Sequence, residues 1–355
     1  MTLADLGGWP AVLGPLTRGT DLTSAQAAAA LSDILDGGAT SAQIAGFCVS
    51  LRMKGETVDE LTGLLAAMLD HAEPVVLPPG CEPVDTCGTG GDRSCTINAS
   101  TLAALVVAGA GAPVCKHGNR AASSACGSAD LLEALGVVID LGPAEVAACV
   151  TEAGMGFCFA PRFHPALRHA GPTRKELGVP TVFNFLGPLA NPARLRRQSL
   201  GVSDRGMAAK MIGVLAARGA ERALVVYGHD GLDEITTTTT STVLELRQGE
   251  IRTYDVDPVA LGLAPAAADD LQGGDPERNA GLARRVLDGE PGPRRDFVLL
   301  NAAAGLVAAG LADDLAAGLE LAAAAVDDGR AAGVLDRLVR VSNEQHEQAG
   351  ASGSR

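Results

Sequence analysis

Four short polar segments hold the residue types in this chain best suited to chemistry. The first is Asp85-Thr86-Cys87-Gly88-Thr89-Gly90-Gly91-Asp92. Glycines let a backbone come close to an anion and turn successive N–H groups into one concavity. The run is neither a dinucleotide G-x-G-x-x-G nor a P-loop, because no Gly-Lys-Ser/Thr closes it. A tight strand-to-helix turn is the plainer alternative. The second segment, Asn98-Ala99-Ser100-Thr101, opens an Ala-rich stretch. N-capping alone would account for it, yet polar side chains at a helix N-terminus also make a phosphate site. The third is Lys116-His117-Gly118-Asn119-Arg120, followed by Ser123-Ser124 and Gly127-Ser128-Ala129-Asp130. Its gathered Lys, His and Arg suit a pyrophosphate clamp as well as a solvated loop. The fourth is Gly228-His229-Asp230-Gly231-Leu232-Asp233-Glu234. Adjacent carboxylates make a poor closed metal cage but suit Mg²⁺ that shares its shell with water and a phosphate. Neighbours in an extended segment point opposite ways, so Asp233 and Glu234 are able to serve two ions. An exposed acidic turn is the alternative.

Bulk composition limits what these segments serve. The chain has 355 residues, 47% of them hydrophobic, which is ample for two packed domains. Aromatics are only 3%, so the core must rely on small and aliphatic side chains. A net charge of -14 argues against a basic nucleic-acid groove and leaves anion binding to local devices. Eight cysteines lack any C-x-x-C pair or zinc spacing, which favours buried free thiols in a reducing cytoplasm. No signal region or membrane-spanning stretch is expected.

The elements that must position the four segments follow from pattern. Residues 1–80 read as a helical domain of three helices. Each opens with a capping box: Thr23 with Gln26, Thr40 with Gln43, Thr57 with Glu60. Gly37-Gly38 and Gly55 stop the first two. From Val84 the chain alternates short apolar strands with Ala-rich helices. Strands are predicted at 84–87, 113–115, 156–160 and 222–227, with a hairpin over 243–256 turning at Gln248-Gly249. Helices are predicted near 98–110, 128–135, 144–153 and 207–218, and the last hundred residues are mainly helical. This is the signature of an α/β domain with a mostly parallel central sheet, made of residues 81–162 and 192–350. Residues 163–191 interrupt the alternation with His164-Pro165, a helix to about Leu177 and a Gly/Pro-rich loop, Phe185–Leu189. They are expected to return to the helical domain or bridge the cleft. Ala351–Arg355 reads as a disordered tail.

Taken together, GTGGD, NAST, KHGNRAASSACGSADLLEALG, FHPALRHAGPTRKELG and GHDGLDE resemble anthranilate phosphoribosyltransferases of tryptophan synthesis. The resemblance spans nearly the whole chain, and the KHGNR…GSADLLEALG run is its most specific part. It implies a nucleoside phosphorylase/phosphoribosyltransferase-like fold, usually a homodimer through the helical domain. The implied substrates are phosphoribosyl pyrophosphate and anthranilate, with Mg²⁺, most simply two ions partly brought in by the substrate. By the same resemblance Gly88, Gly90, Gly91 and Asp92 cradle pyrophosphate, and Asn98, Ser100 and Thr101 hold phosphates. Lys116 meets the phosphate end, and Ser100, Asp233 and Glu234 hold the metal. His117, Asn119, Arg174 and Pro188 fall on the acceptor side, and Thr96, Gly118, Ser123, Ser128 and His164 complete the substrate-binding set. Arg174 would meet the acceptor's carboxylate, because guanidinium matches carboxylate bidentately. Arg93, where the family has a smaller residue, and Leu167, where some members have an aromatic, depart from the pattern.

The implied reaction accounts for this set. Pyrophosphate leaves the ribose anomeric carbon as the aniline nitrogen approaches, so cations and metal stabilise charge and positioning does much of the rest. The amine has a free lone pair, and no strong base is required before attack. His117 and the acceptor's own carboxylate are the two candidates for the late proton. Two same-fold alternatives are a phosphoribosyltransferase for another aromatic amine and a pyrimidine nucleoside phosphorylase. The second would not need the Asp233-Glu234 pair.

Overall fold

A computed structural model describes residues 2–92, 94–121 and 125–353. Four helices come first, α1 (Gly8–Thr17), α2 (Ser24–Leu35), α3 (Ser41–Lys54) and α4 (Val58–Asp70). The last three begin at the predicted caps. Thr23, Thr40 and Thr57 each accept the N–H three residues on, and Gln26, Gln43 and Glu60 reach back. Helix α1 escapes the sequence reading because Pro10, Gly14 and Pro15 break its periodicity. Tertiary contacts hold it instead. Trp9 packs edge-on to Phe47 at 6.0 Å, and its Nε1–H donates to Asp33 Oδ2 at 2.8 Å.

The remainder alternates as expected. In order come β1 (Val84–Gly88), α5 (Ala99–Gly109), β2 (Val114–Gly118), α6 (Ser128–Ala134), α7 (Pro143–Ala153) and β3 (Met155–Phe159). A helical excursion follows, α8 (Ala160–Phe163), α9 (Gly171–Leu177) and α10 (Phe183–Leu189). Then come β4 (Arg197–Gly201), α11 (Arg205–Ala217), β5 (Arg222–Gly228), β6 (Ser241–Arg247) and β7 (Glu250–Val256). Four helices close the chain: α12 (Pro276–Leu287), α13 (Pro293–Ala309), α14 (Leu315–Asp327) and α15 (Arg330–Gly353). Residues 351–353, expected in a disordered tail, are the last residues of α15, and 354–355 lie outside the described residues.

One seven-stranded sheet has the order β3-β2-β1-β4-β5-β6-β7. Its first five strands run parallel, and β6 and β7 are antiparallel. The hairpin turns at Gln248 and Gly249, both at positive φ, the two-residue turn that matches strand twist. Strand β4 has no sequence signal, for Arg-Gln-Ser-Leu-Gly is neither apolar nor alternating. It nevertheless pairs in full register with β1 and β5. Its neighbours supply both ladders, and the buried Gln198 amide donates to Pro188 O at 2.7 Å.

Two apolar cores lie against this sheet. Helices α5, α7, α13, α14 and α15 build one. The helices of residues 8–70 build the other, together with α10, α11 and side chains of β4 and β5. In the excursion, α9 packs on α3, and α10 packs on α4 and α11. Phe185–Leu189 belongs to helix α10 and is not the predicted loop. Pro188 and Gly187 suggest a break, but burial of Phe183, Phe185, Leu186 and Leu189 makes the short helix favourable.

Candidate active site

Ligands of open α/β sheets bind outside the carboxyl ends of the strands, where strand order reverses. Here β1 is followed by β2 on one side and flanked by β4 on the other, so the reversal lies at β1. The loop after β1 is Gly88–Asp92, with Gly90 and Gly91 in the left-handed region at φ 64° and 84°. Neighbouring loops lock it. Thr89 N–H donates to Gly201 O at 2.9 Å, and Ser203 Oγ–H donates to Gly90 O at 2.8 Å. The loop after β5 is pressed against both. A Cβ on Gly201 would fall on the Asp233 carbonyl, and one on Gly88 would meet the Asp233 carboxylate. Gly201 is therefore required by close approach of backbone to backbone, and Gly88 leaves room for the Asp233 carboxylate.

Two carboxylates come together under this loop. Asp233 is 8% exposed, and its Oδ2 accepts Gly90 N–H at 2.6 Å. Glu234 Oε1 accepts the Ser100 hydroxyl at 2.7 Å and Ser100 N–H at 3.1 Å, at the first turn of α5. Burial pushes Asp233 up to about 7, with Asp92 nearby adding to the effect, and Glu234 up to about 8, with Asp233 adding. Asp233 is buried, Glu234 is half-buried, and the two carboxylates repel each other, so a divalent cation would relieve the pair. The hard oxygen donors suit Mg²⁺. No cluster of three metal-ligating side chains occurs among the described residues, so such an ion would complete its shell with water and substrate oxygens. The backbone beneath the pair is held by Asn301 on α13. Its amide accepts Ile235 N–H and donates to Ile235 O, both at 2.9 Å.

Strand β2 itself supplies the cation. Lys116 is 2% exposed and its ammonium donates to Thr86 O. Arg120 is spent differently from the expectation. It pairs with Asp130 and Glu133 and lies over the Phe159 ring, so its charge is already matched. Ser128 Oγ accepts Asn119 N–H and donates to Asn119 O, which fixes the loop. Asn98 is no cap. Its amide donates to Cys126 O at 2.9 Å and accepts from Asn279 at 2.9 Å.

His117 lies between these groups and the excursion. Its Nδ1 faces Gly187 O at 3.1 Å, which makes Nδ1 the protonated nitrogen and leaves the Nε2 lone pair buried without a protein partner. Burial, with the neighbouring His164 ring, lowers it to about 3. His164 is lowered by burial to about 4, and its Nε2 faces Ala190 O at 2.9 Å. The two rings lie 5.2 Å apart.

A cleft of about 340 Å³ joins most of the predicted set. Gly88, Gly90, Gly91, Asp92 and Thr96 line it, as do Asn98, Ser100 and Thr101. So do Lys116, His117, Gly118, Asn119, Ser128, Asp233 and Glu234. His164, Arg174 and Pro188 are not on its wall. His164 stands behind His117, and Pro188 follows the Gly187 carbonyl that holds the His117 ring. Arg174 stacks on Phe183 at 4.8 Å, with no salt bridge to a described carboxylate. Ser123 and Arg93 lie outside the described residues. Sequence reasoning missed Asn184, which lines the cleft, and the supporting Ser203, Asn279 and Asn301. Asn184 is a lone amide between two phenylalanines, which was a usable signal; the others declare themselves only through contacts. The threonine run is structural. Thr236 and Thr238 hydroxyls donate to Asp230, and Thr240 and Thr242 bracket the His229 ring.

Comparison with known proteins follows the same two-part division. Residues 10–72 match a glycosyl transferase family helical bundle domain, and residues 81–332 match the a/b domain of that family. The anthranilate phosphoribosyltransferase of Rhodococcus jostii is 55% identical, with 94% of this chain and 93% of the relative covered. The structure of anthranilate phosphoribosyltransferase from Thermus thermophilus superposes with a TM-score of 0.88 at 42% identity, covering 94% of this chain and 99% of that one. The Saccharomyces cerevisiae enzyme, solved with phosphoribosyl pyrophosphate and magnesium, gives 0.86 at 27% identity over 95% of this chain and 98% of that one. A glycine-rich loop, a carboxylate pair and a buried lysine thus meet at the carboxyl edge of the sheet in a chain that belongs to the anthranilate phosphoribosyltransferase family.

Proposed function

We propose that the cleft at the carboxyl ends of β1, β2 and β5 is where this family member moves the phosphoribosyl group from phosphoribosyl pyrophosphate to the amine of anthranilate. The convergence of Asp233, Glu234 and Ser100 beneath the Gly88–Asp92 loop carries this reading. A pyrophosphate donor with its metal needs that combination of backbone N–H groups, hard oxygens and one lysine. Gly88, Gly90, Gly91 and Asp92 cradle the pyrophosphate, and Asn98, Ser100 and Thr101 hold phosphate oxygens. Thr96, Gly118 and Ser128 complete that wall. Lys116 faces charge that develops on the leaving oxygens. Ser100, Asp233 and Glu234 would hold Mg²⁺, in our reading as two ions, which would supply charge neutralisation for the pyrophosphate.

On the acceptor side we assign His117, Asn119, His164, Arg174 and Pro188. Arg174 offers a half-buried guanidinium with no carboxylate partner among the described residues, which suits the acceptor's own carboxylate. His117 presents Nε2 as an acceptor for an amine N–H. Its low basicity is no obstacle, since the aromatic ammonium formed on bond making is itself a strong acid. The ring orients the amine lone pair toward the sugar and receives the proton that the product gives up. Homodimerisation through the helical domain is supported by Val49 and Met53, exposed side by side on α3. A cytoplasmic location accords with eight cysteines that form no disulfide among the described residues, where no helix is long and apolar enough to cross a membrane.

The test is anthranilate fluorescence, followed with purified protein, phosphoribosyl pyrophosphate and Mg²⁺. Loss of signal that requires both donor and metal, and stops with EDTA, is the expected result. Unchanged fluorescence with donor binding intact would overturn the acceptor assignment.

A further inference from the structure

The sheet is incomplete beside the cleft. Strands β2 and β3 share five register pairs, and so do β1 and β4, but β1 and β2 share only Val84 with Val114. Beyond that pair the ladder is replaced by side chains. The Lys116 ammonium donates to Thr86 O on β1. Asp85 Oδ1 accepts His117 N–H on β2 at 3.2 Å. Asn191, just past α10, donates from Nδ2 both to Cys115 O at 2.7 Å and to Asp85 Oδ2 at 3.0 Å.

These groups are deeply buried: Asp85 is 0% exposed, Lys116 2% and Asn191 4%. A buried carboxylate is costly unless it is paired and hydrogen-bonded, and a sheet residue of ordinary structural duty needs none. The carboxylate is well placed to act at a distance. It fixes the backbone of His117 directly. Through Asn191 it fixes the end of the segment whose Gly187 O holds the His117 ring and whose Ala190 O holds His164.

We propose that Asp85 is a positioning residue for the acceptor. Its carboxylate, bridged by Asn191, keeps β1 and β2 apart at the mouth of the cleft and sets the His117 ring from both its backbone and its Nδ1 side. Asp85 itself touches neither substrate. This inference rests on the acceptor placement proposed above.

The near-isosteric Asp85→Asn variant tests it. The introduced side chain still accepts His117 N–H through its oxygen, but its amide nitrogen then faces the Asn191 amide, donor against donor. KM for anthranilate should rise about tenfold, the size expected from losing one buried hydrogen bond to a charged group. KM for phosphoribosyl pyrophosphate should stay within about threefold of wild type, a change too small for a lost hydrogen bond. Asn191→Ser, which removes the bridge and leaves the carboxylate, should give the same split and serves if Asp85→Asn does not fold. Variants that melt earlier yet keep the wild-type ratio of the two KM values would overturn the proposal and leave Asp85 a structural residue. Wild-type protein that fails to consume anthranilate is a separate outcome, and it would remove the activity reading instead.

Discussion

Acid should destabilise this protein through two buried rings, one on the cleft wall and one behind it. His117 and His164 are buried and held near 3 and 4, whereas an unfolded histidine titrates near 6.5. Above pH 6.5 both states hold the rings neutral and the stability is fully present. As pH falls below that value the unfolded chain takes up protons that the folded chain refuses, and stability is lost until the folded values are reached. At pH 5 the penalty is about 2 kcal/mol for each histidine. Asp233 and Glu234 act with the opposite sign. Their folded values, about 7 and 8, lie above those of free carboxyls, so without metal their contribution is full at low pH and is lost as pH rises through 7 to 8. Wild-type pH dependence is therefore a mixture, and the difference between variant and wild type isolates the rings. His117→Asn keeps an N–H where Nδ1 donates to Gly187 O, and His164→Gln keeps one where Nε2 meets Ala190 O. Neither replacement titrates. Urea unfolding followed by circular dichroism at pH 8 and pH 5, in EDTA, gives the comparison. Each variant should lose less on acidification than wild type, by about 2 kcal/mol or roughly half a molar in the urea midpoint. Identical acid shifts in wild type and both variants would refute the claim that burial holds these rings neutral.

Two further predictions test the site from either side. Arg174→Ala should raise KM for anthranilate at least about tenfold, the loss of one charge-assisted pair, with little change for the sugar donor. Equal changes in both, read from the same fluorescence assay, would remove Arg174 from the acceptor side. Gly201→Ala places a methyl group on the Asp233 carbonyl and should cost about 1–3 kcal/mol in overpacking while displacing the carboxylate loop. The half-saturating Mg²⁺ concentration should rise with it; a variant with wild-type metal dependence would show that the loop yields without moving Asp233.

The linear order of residues gave away much of the architecture for a local reason. Capping boxes at Thr23, Thr40 and Thr57 act within one helical turn, so their effect is complete before any tertiary contact forms. The alternation from Val84 onward likewise reports burial on both faces of a parallel sheet, a pattern each strand carries by itself. Failures cluster where that locality ends. Strand β4 is strand only because β1 and β5 flank it. Helices α1 and α10 contain prolines and glycines that argue against helix, and burial overrides them.

The site divides in the same way. Glycines, hydroxyls and paired carboxylates announced themselves by type and spacing, because phosphate and metal chemistry needs those types close together along the chain. Which charges remained available did not follow from type. Arg120 and Lys116 look alike in a cationic run, yet the fold gives one to Asp130 and Glu133 and turns the other into the cleft. Nor did sequence reveal that Asp85 and Asn191, separated by more than a hundred residues, replace a missing strand ladder. Such roles are set by what lies opposite in space, and only the tertiary structure decides that.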